Sequence, residues 1–413
     1  MGTIGKNKRV IVIGGGASGL AAGISAARQG AEVTVLEHMD RVGKKLLSTG
    51  NGRCNLSNLV MEAGCFHCSQ EGFPMKVLRQ FGVEKTLDFF SGIGIEAKGK
   101  NGYLYPRPEQ ASAVVDMLRL ELARLGVKVF TRCEVGQLRR QPKSGFVAVT
   151  GQGGFAGDAL ILSAGSRAAP STGSDGSGYR LAKGFGHRVI APLPALVQLR
   201  CEGKHFKRLA GVRCEAKVTL VSGGKALAED TGEVQMTDYG ISGIPTFQVS
   251  RFASIALAGQ KPVKAILDFL PAKTWEETEG FLQMRAKRLA HLTCGDFLTG
   301  VLHKKLAGVL LSLSHVNPEE TVAQVGPSAF KRLAGQIKSF EAPVTGTNPF
   351  EQAQVCCGGV DTREIDPFTM ESRLVRGLYL AGEILDVDGM CGGYNLQWAW
   401  STGYIAGSCA GKR

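Results

Sequence analysis

Four β-branched residues, Val10-Ile11-Val12-Ile13, form an unbroken apolar run that predicts a strand buried on both faces. From Ala17 to Gln29 the spacing turns helical, and Gly30 supplies a stop. Glu32 to Leu36 predicts a second strand, ending at Glu37. Lys128-Val129-Phe130 and Cys133-Glu134-Val135 read as one further strand, and Ala159 to Leu162 as another that runs into Ser163-Ala164-Gly165. Near the other end, Gly377 to Ala381 predicts a strand followed by Gly382 and Glu383. Gly392-Gly393-Tyr394-Asn395 then opens an apolar helix reaching about Ala410.

Between these ends the period changes. Ala216-Lys217-Val218-Thr219-Leu220-Val221 alternates as a half-buried strand does. Residues 272–337 have a helical pattern, with breaks expected near Gly295, Pro318 and Pro327. Pro192 and Pro194 on one side, and Pro343 and Pro349 on the other, mark the change. The expected fold is therefore α/β, a discontinuous dinucleotide-binding domain over 1–190 and 346–413 with an insert at 191–345. In that insert 191–265 is expected to be β-rich and 266–345 mainly helical.

Gly14-Gly15-Gly16-Ala17-Ser18-Gly19 satisfies G-x-G-x-x-G between a strand and a helix. Gly14 allows the tight turn, Gly16 lets a pyrophosphate approach the backbone, and Gly19 lets the helix pack on the strand. The N–H groups opening the helix, around Ala17 and Ser18, then face the diphosphate. Glu37 stands about 20 residues on, where a carboxylate accepts hydrogen bonds from a ribose. That acid disfavours a 2′-phosphate, which leaves FAD or NAD.

The rest of the chain favours FAD. After Glu37 come Arg41-Val42-Gly43-Lys44-Lys45 and a Gly/Asn/Arg-rich loop with Arg53, Cys54 and Asn55, suited to an anionic ligand. Val135 is expected to meet the adenine through its backbone. Ala164 and Gly165 resemble the small-residue strand end of glutathione-reductase-type flavoproteins. Gly382 and Glu383 are expected at the diphosphate and ribityl chain, and the helix start at Asn395 and Leu396 near the flavin, whose reduced form is anionic.

The chain has 413 residues, 44% of them hydrophobic and 21% charged, which excludes a disordered chain or a collagen-like repeat. Its net charge of +13 favours anionic ligands without choosing among them. No zinc-finger or RNA-binding spacing accompanies that charge, so a small-molecule partner and no nucleic acid are expected. Lys6, Lys8 and Arg9 before an apolar stretch mimic a signal peptide, but Gly14, Gly15, Gly16 and Gly19 interrupt it. No run approaches the roughly 20 apolar residues of a membrane span. Eleven scattered Cys fit free thiols in a cytoplasmic protein.

Cys65-Phe66-His67-Cys68 is a C-x-x-C with no second ligand pair, so no metal is expected. Cys54 lacks the partner a disulfide reductase needs and reads as a buried loop residue. His187, Trp398 and Trp400 read as packing residues. No GxSxG or H-E-x-x-H is present. Tyr394 and Tyr239 are weak candidates for a proton donor.

The segments TGNGRCNLSN (49–58), TGSDGSGY (172–179), PLPALV (192–197), YGISGIP (239–245) and AGEILDVDGMCGGYNLQWAWSTGYIAG (381–407) resemble the BaiN-like, or aminoacetone-oxidase-like, flavoprotein family over essentially the whole chain. The resemblance implies bound FAD and one of two activities. One is reduction of conjugated C=C bonds in 3-oxo bile acid intermediates with NADH or NADPH as a transient donor; the substrate would be apolar with a carbonyl or carboxylate. The other is oxidation of small amines by O₂. A flavin-binding module without turnover is the third alternative. Two positions depart from the family pattern: Gly165-Ser166 replaces two glycines, and Cys356-Cys357 precedes Gly358-Gly359.

Overall fold

The first apolar run is the middle strand of a five-stranded parallel sheet. The computed structural model describes residues 7–141 and 145–412, so Lys6 of the signal-like start lies outside the described residues. In chain order come β1 (Arg9–Ile13), α1 (Ala17–Arg28), β2 (Glu32–Leu36), β3 (Lys128–Phe130) and β4 (Ala159–Leu162). These belong to a unit comprising Met1–Leu193 and Gln354–Arg413.

The strand expected to run through to Val135 is broken. β3 stops at Phe130, Arg132 takes φ +52°, and Val135 begins an antiparallel strand, Val135–Arg140, in a separate three-stranded sheet. The turn is fixed by Arg132 N–H donating to Met39 O and Cys133 N–H to Glu37 O. The chain therefore crosses the end of β2 before changing sheets.

The second unit, Pro194–Ala353, holds a closed barrel. Its strands run Leu199–Cys201, Gly240–Gly243, Lys225–Met236, Arg213–Ser222, Val263–Asp268 and Phe340–Thr347 around the barrel, each neighbouring pair antiparallel. Ala216, Val218 and Leu220 point inward and are fully buried, as their alternation requires. Three features depart from the sequence expectation. The β-rich segment contains a helix, α2 (Ile244–Ala258), with Pro245 in its first turn, where a missing N–H costs nothing. The expected helical part supplies the closing strand Phe340–Thr347, where Phe340, Ala342 and Val344 face the core. Gly295 lies inside the short helix Cys294–Phe297 rather than at a break.

The chain then returns to the first unit with β5 (Leu378–Leu380) and α3 (Tyr394–Gly411). The sheet order is β5-β4-β1-β2-β3, all parallel, with Val12 beside Ile161 and Val35. α3 packs on α1 at backbone contact. A Cβ on Gly403 would collide with Ser18 O, on Gly407 with Ala22 O, and on Gly411 with Ala26 O. Both rows repeat every four residues, so ridges of small residues meet along one line. Ser25 adds bonds to Tyr404 O at 2.8 Å and Ser408 Oγ at 2.6 Å. Among the described residues no helix is long and apolar enough to cross a membrane.

Helix propensity alone predicts that Gly407→Ala stabilises α3 by about 1 kcal/mol. The packing predicts the reverse, a loss of about 1–3 kcal/mol from overpacking against Ala22. Urea unfolding of Gly407→Ala and wild type reads the sign directly.

Candidate cofactor and active site

At the carboxyl edge of the sheet the loops after β1, β2, β4 and β5 converge on the start of α1. Gly14 takes φ +98°, and a Cβ there would lie 2.5 Å from Ser163 O. Gly19 is pressed against Gly14 O. Gly16 differs: no protein atom lies within 4 Å of where its Cβ would be. It caps the N-terminus of α1, so the open space borders the N–H groups of Ala17 and Ser18, which helix geometry leaves without intrahelical partners. That opening fits a diphosphate.

Glu37 is buried, and its carboxylate accepts Gly15 N–H at 2.7 Å and Met39 N–H at 2.8 Å. The two backbone bonds fix the acid beside the glycine turn, and a carboxylate keeps further lone pairs for a ribose. Ser163 Oγ donates to Ile13 O at 2.9 Å, tying the end of β4 to the end of β1. Ala164 and Gly165 follow, Gly165 at φ +73° against Ser174.

Gly382, at φ +82°, backs onto Ser18. It is held from α3, its N–H donating to Thr402 Oγ1 at 2.9 Å and its carbonyl accepting Trp398 Nε1–H at 3.2 Å. Trp400 Nε1 donates to Leu56 O at 3.0 Å and so anchors the loop carrying Asn55. Trp398 and Trp400 are core residues that also set the site's backbone. Asn55 Oδ1 is buried without a hydrogen-bond partner. A Cβ on Gly393, which caps α3, would lie 2.9 Å from it. A buried orphan oxygen beside a helix N-terminus fits a polar ligand atom there.

Several expected cofactor residues have other occupations. Lys44 lies 3.5 Å from Asp40, whereas its neighbour Lys45, missed by the sequence reading, reaches Glu383 at 2.6 Å. Arg53 bonds its own loop at Gly50 O, 3.1 Å, and stacks on Tyr105. The Asn395 side chain closes the loop before α3, bonding Gly389 N–H and Gly389 O, each at 2.8 Å. Asn395 and Leu396 are left with their backbone N–H groups at the start of α3. Val135 is buried next to the segment that crosses Glu37.

The two departures from the family pattern meet. Ser166 Oγ donates to Glu383 Oε2 at 3.1 Å, and Ser166 also neighbours the Cys356 thiol. Burial raises that thiol's pKa, partly offset by the Arg167 backbone and Ser166. Lys45, Glu383, Ser166 and Cys356 form one chain of polar contacts. Only folding brings them together, and no spacing in the sequence signals it.

Burial, reinforced by the neighbouring Cys65 thiol, raises the Tyr394 phenol above its usual range, so it keeps its proton. Its ring meets Phe66 edge-on at 5.8 Å. Tyr239 belongs to the second unit, where its hydroxyl accepts Asn348 Nδ2–H at 3.0 Å. Cys54 is fully buried, and its thiol is pushed up to about 12. Cys68 lies 3.3 Å from Thr362 Oγ1, its thiol raised by burial to about 11. Among the described residues no three metal-ligating side chains cluster. His187 bridges Glu364 at 2.8 Å and Ser372 at 2.9 Å.

Because Gly16 borders open space, Gly16→Val is expected to leave the circular dichroism spectrum and melting temperature of the apoprotein unchanged while abolishing flavin retention. A second expectation concerns Cys54. Its raised pKa means that the thiolate is scarce below pH 12, so Cys54 in the native protein resists iodoacetamide at pH 8. Peptide mapping after alkylation checks this, with alkylation in denaturant as the positive control.

The HI0933-like protein Rossmann domain matches residues 8–409. The 3-dehydro-bile acid delta(4,6)-reductase of Clostridium scindens is 46% identical over 98% of this chain and 99% of its own. A ribosomal RNA dihydrouridine synthase of Haemophilus influenzae is 31% identical over 95% of this chain and 96% of its own. Among solved structures, a 3-ketosteroid-delta4-(5alpha)-dehydrogenase from Rhodococcus jostii aligns over 100% of this chain and 99% of its own, at 18% identity and a TM-score of 0.47. The chain belongs to the HI0933-like Rossmann family, and its two ends together build a Rossmann-type FAD-binding domain.

Proposed function

We propose that this protein is an FAD-dependent reductase of a carbon–carbon double bond conjugated to a carbonyl. Its substrate is a steroid-like acid of the 3-oxo bile acid class, and its electron donor is NADH or NADPH. The observation that carries the reading is 46% identity to the bile acid reductase across 98% of the chain. Bound FAD supplies hydride chemistry that no side chain can. The chain's own part is to hold and orient. Glu37, Asn55 and the N-termini of α1 and α3 bind the cofactor's polar groups, Gly382 and Glu383 position its middle, and Tyr394 holds a proton for the substrate's α carbon.

The glycine turn after β1 is the strand–GxGxxG–helix unit that the sequence offers. Gly173, Gly176 and Gly178 follow a 3₁₀ turn at Pro170–Thr172 rather than a strand. The nicotinamide donor is therefore taken to dock transiently and leave before the substrate enters. Initial-rate plots are expected to be parallel; intersecting lines, which signal a ternary complex, contradict that order.

A second reading has surface charge on its side. The uracil C5=C6 bond is also conjugated to a carbonyl, and two curated relatives at 31% and 29% identity are ribosomal RNA dihydrouridine synthases. Lys204, Lys207 and Arg208 are exposed around the helical turn Phe206–Leu209. Lys304 and Lys305 are exposed at the start of the helix Lys304–Leu313, and Lys305 Nζ donates to Ala210 O at 3.0 Å. The two segments thus share one cationic face, which suits a phosphate backbone.

One anaerobic experiment separates the readings. The flavin is reduced with NADH or NADPH, then challenged with enone steroid acids and with uridine-containing ribosomal RNA fragments. Reoxidation by the enone acid supports the first reading, and salt-sensitive reoxidation by RNA replaces it with the second. Reduction of the oxidised flavin by aminoacetone, with peroxide on admitting air, makes the protein an amine oxidase instead.

A further inference from the structure

The barrel strand Leu199–Cys201 turns Leu199 and Cys201 into the core and Arg200 outward. Directly across from Arg200 stand Gly240 on one neighbouring strand and Gly346 on the other. Neither offers a side chain on that face. A Cβ on Gly240 would collide with Leu199 O, and no protein atom lies within 4 Å of the position a Gly346 Cβ would take. Arg200 therefore borders open space in the row where a sheet ordinarily sets cross-strand partners.

Two neighbours hold its guanidinium. Nη1 donates to Asn348 Oδ1 at 3.2 Å, and the guanidinium carbon lies 5.1 Å from the centre of the Tyr239 ring. Asn348 is buried and is itself fixed. Its backbone N–H donates to Gln198 O at 3.0 Å, and its Nδ2 donates to the Tyr239 hydroxyl oxygen at 3.0 Å. One buried amide thus orients an arginine and a tyrosine together. Tyr239 opens the segment YGISGIP (239–245), which the cofactor site does not use. Its oxygen accepts from Asn348, which leaves the phenolic O–H to donate. Among the described residues no carboxylate pairs with Arg200. The cluster presents oriented donors and no acceptor for them. A carboxylate is planar, carries one charge and accepts from two donors, which matches a guanidinium fork with a phenol beside it. The Tyr239 ring adds apolar surface next to the charge. A phosphate is less well matched, since it is ordinarily met by a nest of backbone N–H groups or several cations, and one cation stands here.

We propose that Arg200 and Tyr239, oriented by Asn348, form a binding site for the carboxylate of an apolar acid. Arg200 pairs with the carboxylate, Tyr239 donates its O–H to it, and Asn348 is a positioning residue. The site deepens the reductase reading and rests on it for the identity of the acid as substrate, so its test avoids turnover.

The FAD-loaded, oxidised protein is titrated by calorimetry with cholanic acid, a saturated steroid acid, and with its methyl ester. Wild type is expected to favour the acid by about tenfold or more, the size of a charge-assisted pair. Arg200→Gln is expected to bind both compounds with the ester's affinity, Arg200→Lys to recover part of the preference, and Tyr239→Phe to keep a reduced one. Asn348→Asp sets a carboxylate against the guanidinium. It is expected to remove the preference with both donors still present, and to leave the ester's affinity unchanged. Melting temperature and flavin content should match wild type in Arg200→Gln and Tyr239→Phe. The proposal is overturned if Arg200→Gln keeps the acid preference or if wild type binds neither compound. It is also overturned if Arg200→Gln loses affinity for ribosomal RNA fragments and none for the acid, which makes the arginine a phosphate contact. The two readings fail separately. Arg200-dependent binding of the acid with no enone reoxidising the reduced flavin removes the reductase and leaves the site. Normal enone turnover by Arg200→Gln with unchanged KM removes the site and leaves the reductase.

Discussion

Everything in the first unit depends on how closely α3 lies against α1. Gly403, Gly407 and Gly411 bring backbone against the Ser18, Ala22 and Ala26 backbone. The contact joins residues nearly 400 positions apart in sequence and makes one domain of the chain's two ends. It also sets the site. With α3 seated, Trp398 and Thr402 hold Gly382 against Ser18, and Trp400 holds the loop of Asn55. Larger residues along this line would hold α3 away from α1 and displace both loops together.

The site is polar where the sheet ends. Loops after the parallel strands deliver small residues to the helix starts, since only small residues allow a ligand to approach the backbone. Around them the protein spends few charges. Glu37 is held by two backbone N–H groups, and Glu383 by Lys45 and Ser166. Buried thiols at Cys54 and Cys356 are raised by desolvation and add polarizable bulk. Such a site suits an organic cofactor, which would supply the bond-making chemistry.

The second unit meets different physical demands. Its six strands close into an antiparallel barrel, and the buried side of α2 packs against several of them. Exposed basic residues of the unit cluster around Lys207 and Lys305.

The sequence by itself determined what short-range sterics and periodicity govern. The strand–glycine–helix unit at 10–30 is legible because Gly14 must take positive φ and an apolar, small-residue helix follows the glycine turn within a dozen residues. The alternation at 216–221 is legible for the same reason. The end of β3 was not, because hydrogen bonds from Arg132 and Cys133 to the loop after β2 turn the chain before Val135. The choice of Lys45 over Lys44 was not, because adjacent lysines have equal propensities and only the distant Glu383 distinguishes them. The meeting of Ser166 with Cys356 and the return of Phe340–Thr347 into the barrel belong to the same class. Each depends on which face of an element the rest of the chain covers, and that is decided by contacts across long stretches of sequence, in tertiary structure alone.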